Sequence, residues 1–324
     1  MLHFSECKDI IEQEIANIGL SEKYPPELYQ PISYILNLGG KRIRPILSLM
    51  ACNLFAGDVK PAISPSLAIE VFHNFTLLHD DIMDKAPLRR NKPTVHKKWN
   101  ENIAILSGDA MSILAYQYLC KTNVEFIPEL LTIFSQTALE ICEGQQLDMN
   151  FETRNNVSIN EYLDMIRLKT AVLLGSSLQI GALCGNAPFI ETQKLYNFGV
   201  ALGTAFQLQD DLLDTFGNEA EFGKTIGGDI LANKKTFLYL KAIEISNEDQ
   251  RNTLEKIYTE TSVDSDKKIK NVISIFNDLN IQTITTNAVE KYTHQAMEFL
   301  YSVISPYSTK VLEKLALEIM DRKA

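Results

Sequence analysis

Two segments of the chain end in the same pattern of acids. AIEVFHNFTLLHDDIMD carries Asp80, Asp81 and Asp84, and LGTAFQLQDDLLD carries Asp210, Asp211 and Asp214. At about 100° per helical residue, positions i and i+4 share a face, so Asp80 points with Asp84 and Asp210 with Asp214. Three carboxylates near a helix C-terminus repel one another and the negative end of the helix dipole, so positive charge must offset them. Hard carboxylate oxygens suit Mg²⁺, which is usually held by one or two carboxylates plus substrate phosphates. One such run would read as a solvated helix end; two, each following a mostly apolar helix, read as metal centres. Zinc fits poorly, because the five histidines are dispersed and the cysteines form no pair.

Basic groups answer the acids. GGKRIRP sets Lys41, Arg42 and Arg44 just after a Gly-Gly break, where helix-start amides and cations together make an anion site. Arg89 and Arg90 follow the first acid cluster closely, Lys169-Thr170 opens an uncharged stretch, and Lys224 and Lys234 flank Gly227-Gly228-Asp229. This distribution implies two phosphorylated ligands in one cavity. Neither GxxxxGK[ST] nor GxGxxG occurs, so a nucleotide is not the natural choice. Apolar helices beside the acids suggest a ligand that carries a hydrocarbon.

Helical periodicity supplies the framework, over 5–18, 28–38, 44–56, 66–84, 101–121, 126–149, 159–184, 191–216, 234–259, 266–278, 282–303 and 307–321. No run alternates with period two. The reading is all-α: a single domain over 1–324, one large bundle of roughly a dozen helices around a central cavity. Helices 66–84, 170–184 and 191–214 carry little charge away from their ends and belong at its centre. The 324 residues include only 15 Gly and 11 Pro, which favours long elements over a loop-rich sandwich. A net charge of −10 argues against nucleic acid or an anionic membrane as partner. Five scattered cysteines indicate thiols in a reducing, cytoplasmic setting. The acid-containing start does not read as a signal peptide, and the uncharged stretch 170–190, with its Ser, Gln, Gly and Pro, reads as a core helix, not a membrane span.

Taken in order, GGKRIRP, HDDIMD, LRRNKPT, Lys169-Thr170, FQLQDDLLD and GKTIGGDILANKKT resemble the trans-isoprenyl diphosphate synthases, the polyprenyl synthetase family, from about Leu38 to Thr236. The resemblance implies an isoprenoid-synthase fold and Mg²⁺-dependent, head-to-tail condensation of isopentenyl diphosphate with an allylic diphosphate. It implies that Asp80, Asp84 and Asp210, joined by Asp81, Asp211 and Asp214, hold Mg²⁺, three ions with substrate bound. Arg89, Lys169 and Lys234, with Thr170, Gln207 and Lys224, would grip the allylic diphosphate. Lys41, Arg44, His73 and Arg90 would receive isopentenyl diphosphate. His73 lies only about 20° off the face of Asp80, although a core histidine is the plain alternative. Phe75 and Thr76, five and four residues before Asp80, resemble the geranylgeranyl-forming type, in which an aromatic at the earlier position limits growth; Phe72 and Met111 are further candidates for narrowing the tunnel. A C20 product is expected, with farnesyl diphosphate (C15) the alternative. A terpene cyclase would carry a different second acid motif, and a non-catalytic partner subunit would have lost one. A homodimer is implied by resemblance alone.

Overall fold

The least charged stretches of the chain become its most deeply buried helices. Residues 65–72 are buried without interruption within the helix Ile63–Met83, and residues 171–182 likewise through the helix Val172–Cys184. The structure, a computed structural model, describes residues 2–217, 226–259 and 264–321. Its long helices include Ile43–Ala56, Glu101–Leu119, Ile127–Thr153, Phe189–Phe216 and Ile281–Tyr301, so the all-α expectation holds.

The chain divides into two compact units. One comprises Met1–Ser135, Ser176–Leu195 and Val303–Leu312; the other comprises Gln136–Gly175, Tyr196–Ser302 and Glu313–Ala324. The first has a core of aliphatic side chains such as Ile35, Ile46, Leu49 and Ile69, capped by Phe72 and Phe134. The second is built on Leu208, Leu212, Leu238, Leu254, Val272 and Phe276. Among the described residues no helix is long and apolar enough to cross a membrane.

Three expected elements need correction. The 234–259 run is broken: one helix ends at Ile245 and the next starts at Glu248. Ser246 is extended, and Asn247 and Gln250 cap the new helix reciprocally, each side chain accepting from the other's backbone N–H at 2.9 and 3.2 Å. The break at 86–93 holds a small antiparallel hairpin pairing Leu88–Arg89 with Lys92–Pro93. Arg90 and Asn91 at its turn have φ of 51° and 60°, the left-handed pair whose twist suits a two-residue hairpin. The 159–184 run is interrupted by a π-turn, Arg167–Ala171, between the helices Ile159–Ile166 and Val172–Cys184.

That π-turn carries Lys169 and Thr170, and glycines on two other helices admit it. A β-carbon at Gly144 would lie 2.3 Å from the Lys169 backbone nitrogen, and one at Gly203 would lie 2.7 Å from Ala171 Cα. Gly144→Ala is therefore expected to destabilise the protein by roughly 1–3 kcal/mol through overpacking against rigid backbone, read as a lowered melting temperature. An unchanged melting temperature would mean that the two segments can separate there at no cost.

Candidate functional site

In the first unit the acid cluster ends the helix Ile63–Met83. Asp84 is its C-cap, and Lys85, with φ of 52°, turns the chain out of the helix. Asp80 is half-buried and Asp84 exposed, whereas Asp81 is buried. Asp81 accepts two hydrogen bonds from Arg89, from Nε and Nη2, both at 2.8 Å. The hairpin thus places Arg89 on the second acid of the motif.

A cationic nest lies about two turns earlier on the same helix, around His73. The Arg44 guanidinium donates to His73 Nε2 at 3.1 Å. Burial, followed by the charges of Arg44, Arg90, Arg89 and Arg42, holds His73 well below its ordinary value. The ring is therefore neutral, with Nε2 as acceptor and the proton on Nδ1. Burial also pulls Arg44 down to about 10, and its Nε is buried with no hydrogen-bond partner. The Arg90 guanidinium sits over Gly40, whose φ is 142°; a β-carbon there would approach Arg90 Nη2 to 2.9 Å. Lys41 is exposed at the loop. Phe75 stacks edge-on against His79 at 4.7 Å and packs on Phe72 at 5.4 Å, and Phe72 continues to Phe134 at 5.1 Å. Thr76 donates to the His73 carbonyl at 2.8 Å, and Met111 is fully buried.

In the second unit a cleft of about 130 Å³ gathers Lys169, Thr170, Gln207, Asp211 and Lys234. Asp148 and Tyr162, which lie outside the motifs, also line it, as do Asp229 and Lys235, which belong to GKTIGGDILANKKT but were given no role. Lys169 Nζ donates to Asp148 at 2.5 Å, and Lys234 pairs with Asp229 at 3.3 Å. The Tyr162 hydroxyl and Gln207 Nε2 both donate to Asp211, the latter at 3.2 Å; Thr170 donates in turn to Gln207 Oε1 at 3.3 Å. Burial, then the charge of Asp229, raises Asp211 well above the usual carboxylate range. Asp214 accepts from the Asp229 backbone N–H at 2.9 Å and so shapes the Gly227–Asp229 turn. Asp210 is half-buried. Lys224 lies outside the described residues. Tyr162 stands seven residues before Lys169, a spacing that could have signalled a shared helical face; Asp148, a lone acid on an amphipathic helix, carries no such signal.

Among the described residues no group of three His, Cys, Asp or Glu side chains could hold a metal ion by itself. The donor set fits Mg²⁺ in another way. By exposure, half-buried Asp80 and exposed Asp84 in the first unit, and half-buried Asp210 in the second, could each hold an ion together with substrate phosphates and water, whereas Asp81 and Asp211 are buried.

The polyprenyl synthetase family pattern matches residues 25–276. A geranylgeranyl diphosphate synthase of Methanosarcina mazei is 41% identical over 222 residues, 68% of each chain. One of Saccharolobus solfataricus is 35% identical over 320 residues, 97% of this chain and 94% of the relative. The crystal structure of a geranylgeranyl pyrophosphate synthase superimposes with a TM-score of 0.94 at 44% identity, covering 100% of both chains. The chain belongs to the polyprenyl synthetase family and is a prenyltransferase.

The nest makes stability depend on pH in a definite direction. Below about pH 6.5 the unfolded chain protonates His73 and the folded chain does not, so acidification through that window costs stability, and the effect vanishes above it. Denaturant titrations at pH 5 and pH 7.5 are expected to show a smaller difference for His73→Gln than for the parent. An equal difference would show that the imidazole charges freely in the fold.

Proposed function

We propose that the chain condenses isopentenyl diphosphate with an allylic diphosphate, head to tail and with Mg²⁺, to give geranylgeranyl diphosphate. The observation that carries this reading is Arg44 Nε, a buried donor without an acceptor inside a cluster of four arginines around a neutral histidine. A buried cationic donor left unsatisfied is costly, and a diphosphate oxygen supplies the missing acceptor. Relatives named for geranylgeranyl diphosphate support C20 over farnesyl diphosphate.

In this reading Lys41, Arg44, His73 and Arg90 hold isopentenyl diphosphate, with His73 Nδ1 as a neutral donor. Arg89, Lys169 and Lys234, helped by Thr170, Gln207 and Lys224, hold the allylic diphosphate. Asp80, Asp84 and Asp210 would hold Mg²⁺, three ions with substrate bound, and Asp81, Asp211 and Asp214 orient the neighbouring groups. The metal, when bound, neutralises charge building on the departing diphosphate. Lysine and arginine side chains stabilise the same charge as the allylic C–O bond breaks. The double bond of isopentenyl diphosphate attacks the allylic cation, and the released diphosphate takes the proton that restores a double bond. Apolar helices keep water from the cation. Phe75 and Thr76 limit product length.

Both units act as one domain in this reading, supported by a family match that runs through both. A homodimer is supported by Ile105, Leu106 and Ile113, exposed on one helix. A cytoplasmic setting is supported by five unpaired thiols.

Purified chain supplied with Mg²⁺, isopentenyl diphosphate and dimethylallyl, geranyl or farnesyl diphosphate is expected to yield a C20 product on chromatography; absence of any prenyl product would sink the reading. Asp80→Ala or Asp210→Ala should each lower turnover by about 10²-fold or more with unchanged circular dichroism. Phe75→Ala is expected to lengthen the product beyond C20 and Thr76→Phe to shorten it. A folded, active Phe75→Ala that still stops at C20 would move the limit elsewhere, to Phe72 or Met111.

A further inference from the structure

Between Lys41 and Arg44, Arg42 behaves as neither neighbour does. It is 4% exposed, although it sits in a loop opened by two glycines. Its backbone is left-handed, with φ of 53°, at the N-cap of the helix Ile43–Ala56. A bulky residue adopts that conformation only where its surroundings dictate it. Here they do. Nη1 donates to Glu70 Oε1 at 2.6 Å, Nε to Glu12 Oε1 at 3.0 Å, and Nη2 to Glu12 Oε2 at 3.4 Å and to the Leu36 carbonyl at 2.6 Å. Asn74 Nδ2 donates to the same Glu70 oxygen at 2.9 Å and to the Glu70 carbonyl at 2.8 Å. Glu70 precedes His73 by one helical turn, so this network ties the loop to the helix that carries His73.

We infer that Arg42 is a positioning residue for the diphosphate pocket, fixing the loop so that Lys41 and Arg44 on either side of it meet one substrate. The role rests on the assignment of that pocket to isopentenyl diphosphate. Arg42 does not touch the ligand: its guanidinium is spent on Glu12, Glu70 and Leu36. Glu70 has a second effect, as the carboxylate whose charge acts on both Arg44 and Arg90 and supports their cationic forms. Lysine cannot replace this arrangement, because a point charge cannot reach three acceptors in a planar fork.

The test separates the two substrates. Arg42→Lys is expected to raise KM for isopentenyl diphosphate about tenfold, with the allylic KM held within about twofold. Glu12→Gln, at a carboxylate 40% exposed and so tolerant of neutralisation, is expected to raise the same KM by about threefold, and it carries the test if Arg42→Lys does not fold. Equal changes in both KM values, or a folded variant with KM for isopentenyl diphosphate unchanged, would mean that Arg42 only stabilises the fold. Arg44→Ala, run in parallel, tells the two failures apart. If it raises KM for isopentenyl diphosphate while the Arg42 and Glu12 variants do not, the positioning role alone is wrong; if it too leaves that KM unchanged, the pocket assignment falls and the positioning role with it.

Discussion

Crowding like charges where water is scarce is the constraint around which the first unit is organised. Two unit charges 4 Å apart repel by about 4 kcal/mol at an effective dielectric constant of 20. Arg42, Arg44, Arg89 and Arg90 all act on His73. Each is accommodated differently. Arg42 is neutralised by Glu70 and Glu12, and Arg89 by Asp81. Arg44 rests on a histidine that has given up its charge, and Arg90 lies over a glycine. Of the four, Arg44 keeps a buried donor without an acceptor, at Nε.

The second unit meets the same difficulty with the sign reversed. Asp148, Asp211 and Asp229 line one cleft. Lys169 and Lys234 answer the outer two, while Asp211 is met by the neutral donors Tyr162 and Gln207. A neutral donor holds a carboxyl group in place without cancelling a charge needed elsewhere. In both units the middle acid of the motif, Asp81 or Asp211, is the buried one, and its flanking acids stand more open. Two adjacent aspartates on a helix lie about 100° apart, so one turns inward when the other faces the solvent.

The sequence announced what repeats or clusters and stayed silent on what stands alone. Both acid motifs, the Gly-Gly-Lys loop and the uncharged helices were legible because spacing and charge contrast mark them. Arg42 was misassigned, since GGKRIRP reads it with Lys41 and Arg44 as one cation of an anion site, and only its acceptors on Glu12 and Glu70, distant in sequence, show that its charge is already answered. The hairpin at 88–93 escaped because its turn holds Arg90-Asn91 and lacks the glycine that signals such a turn. The boundary at Ser246 was written as an Asn-x-x-Gln cap, yet apolar periodicity ran through it and prevailed. Asp148 meets Lys169 from a separate helix, which no local pattern records, and Tyr162 offered only its seven-residue spacing to Lys169, not its partner Asp211.

The π-turn at Arg167–Ala171 has a consequence for how such a chain can evolve. It contains one residue more than an α-helical turn would. Deleting one of its residues would restore regular α-helix and leave the following helix facing almost the same way, because the wider turn spreads its extra residue over nearly the same total rotation. The following helix is buried on all sides through residue 182, with Ser176, Ser177 and Gln179 among its apolar neighbours. Those polar groups would keep their places after such a deletion, and the change would be confined to the turn that carries Lys169 and Thr170. The turn is thus a place where the chain can differ by one residue without turning its most buried helix, and what the extra residue alters is local: the position from which Lys169 and Thr170 reach the cleft.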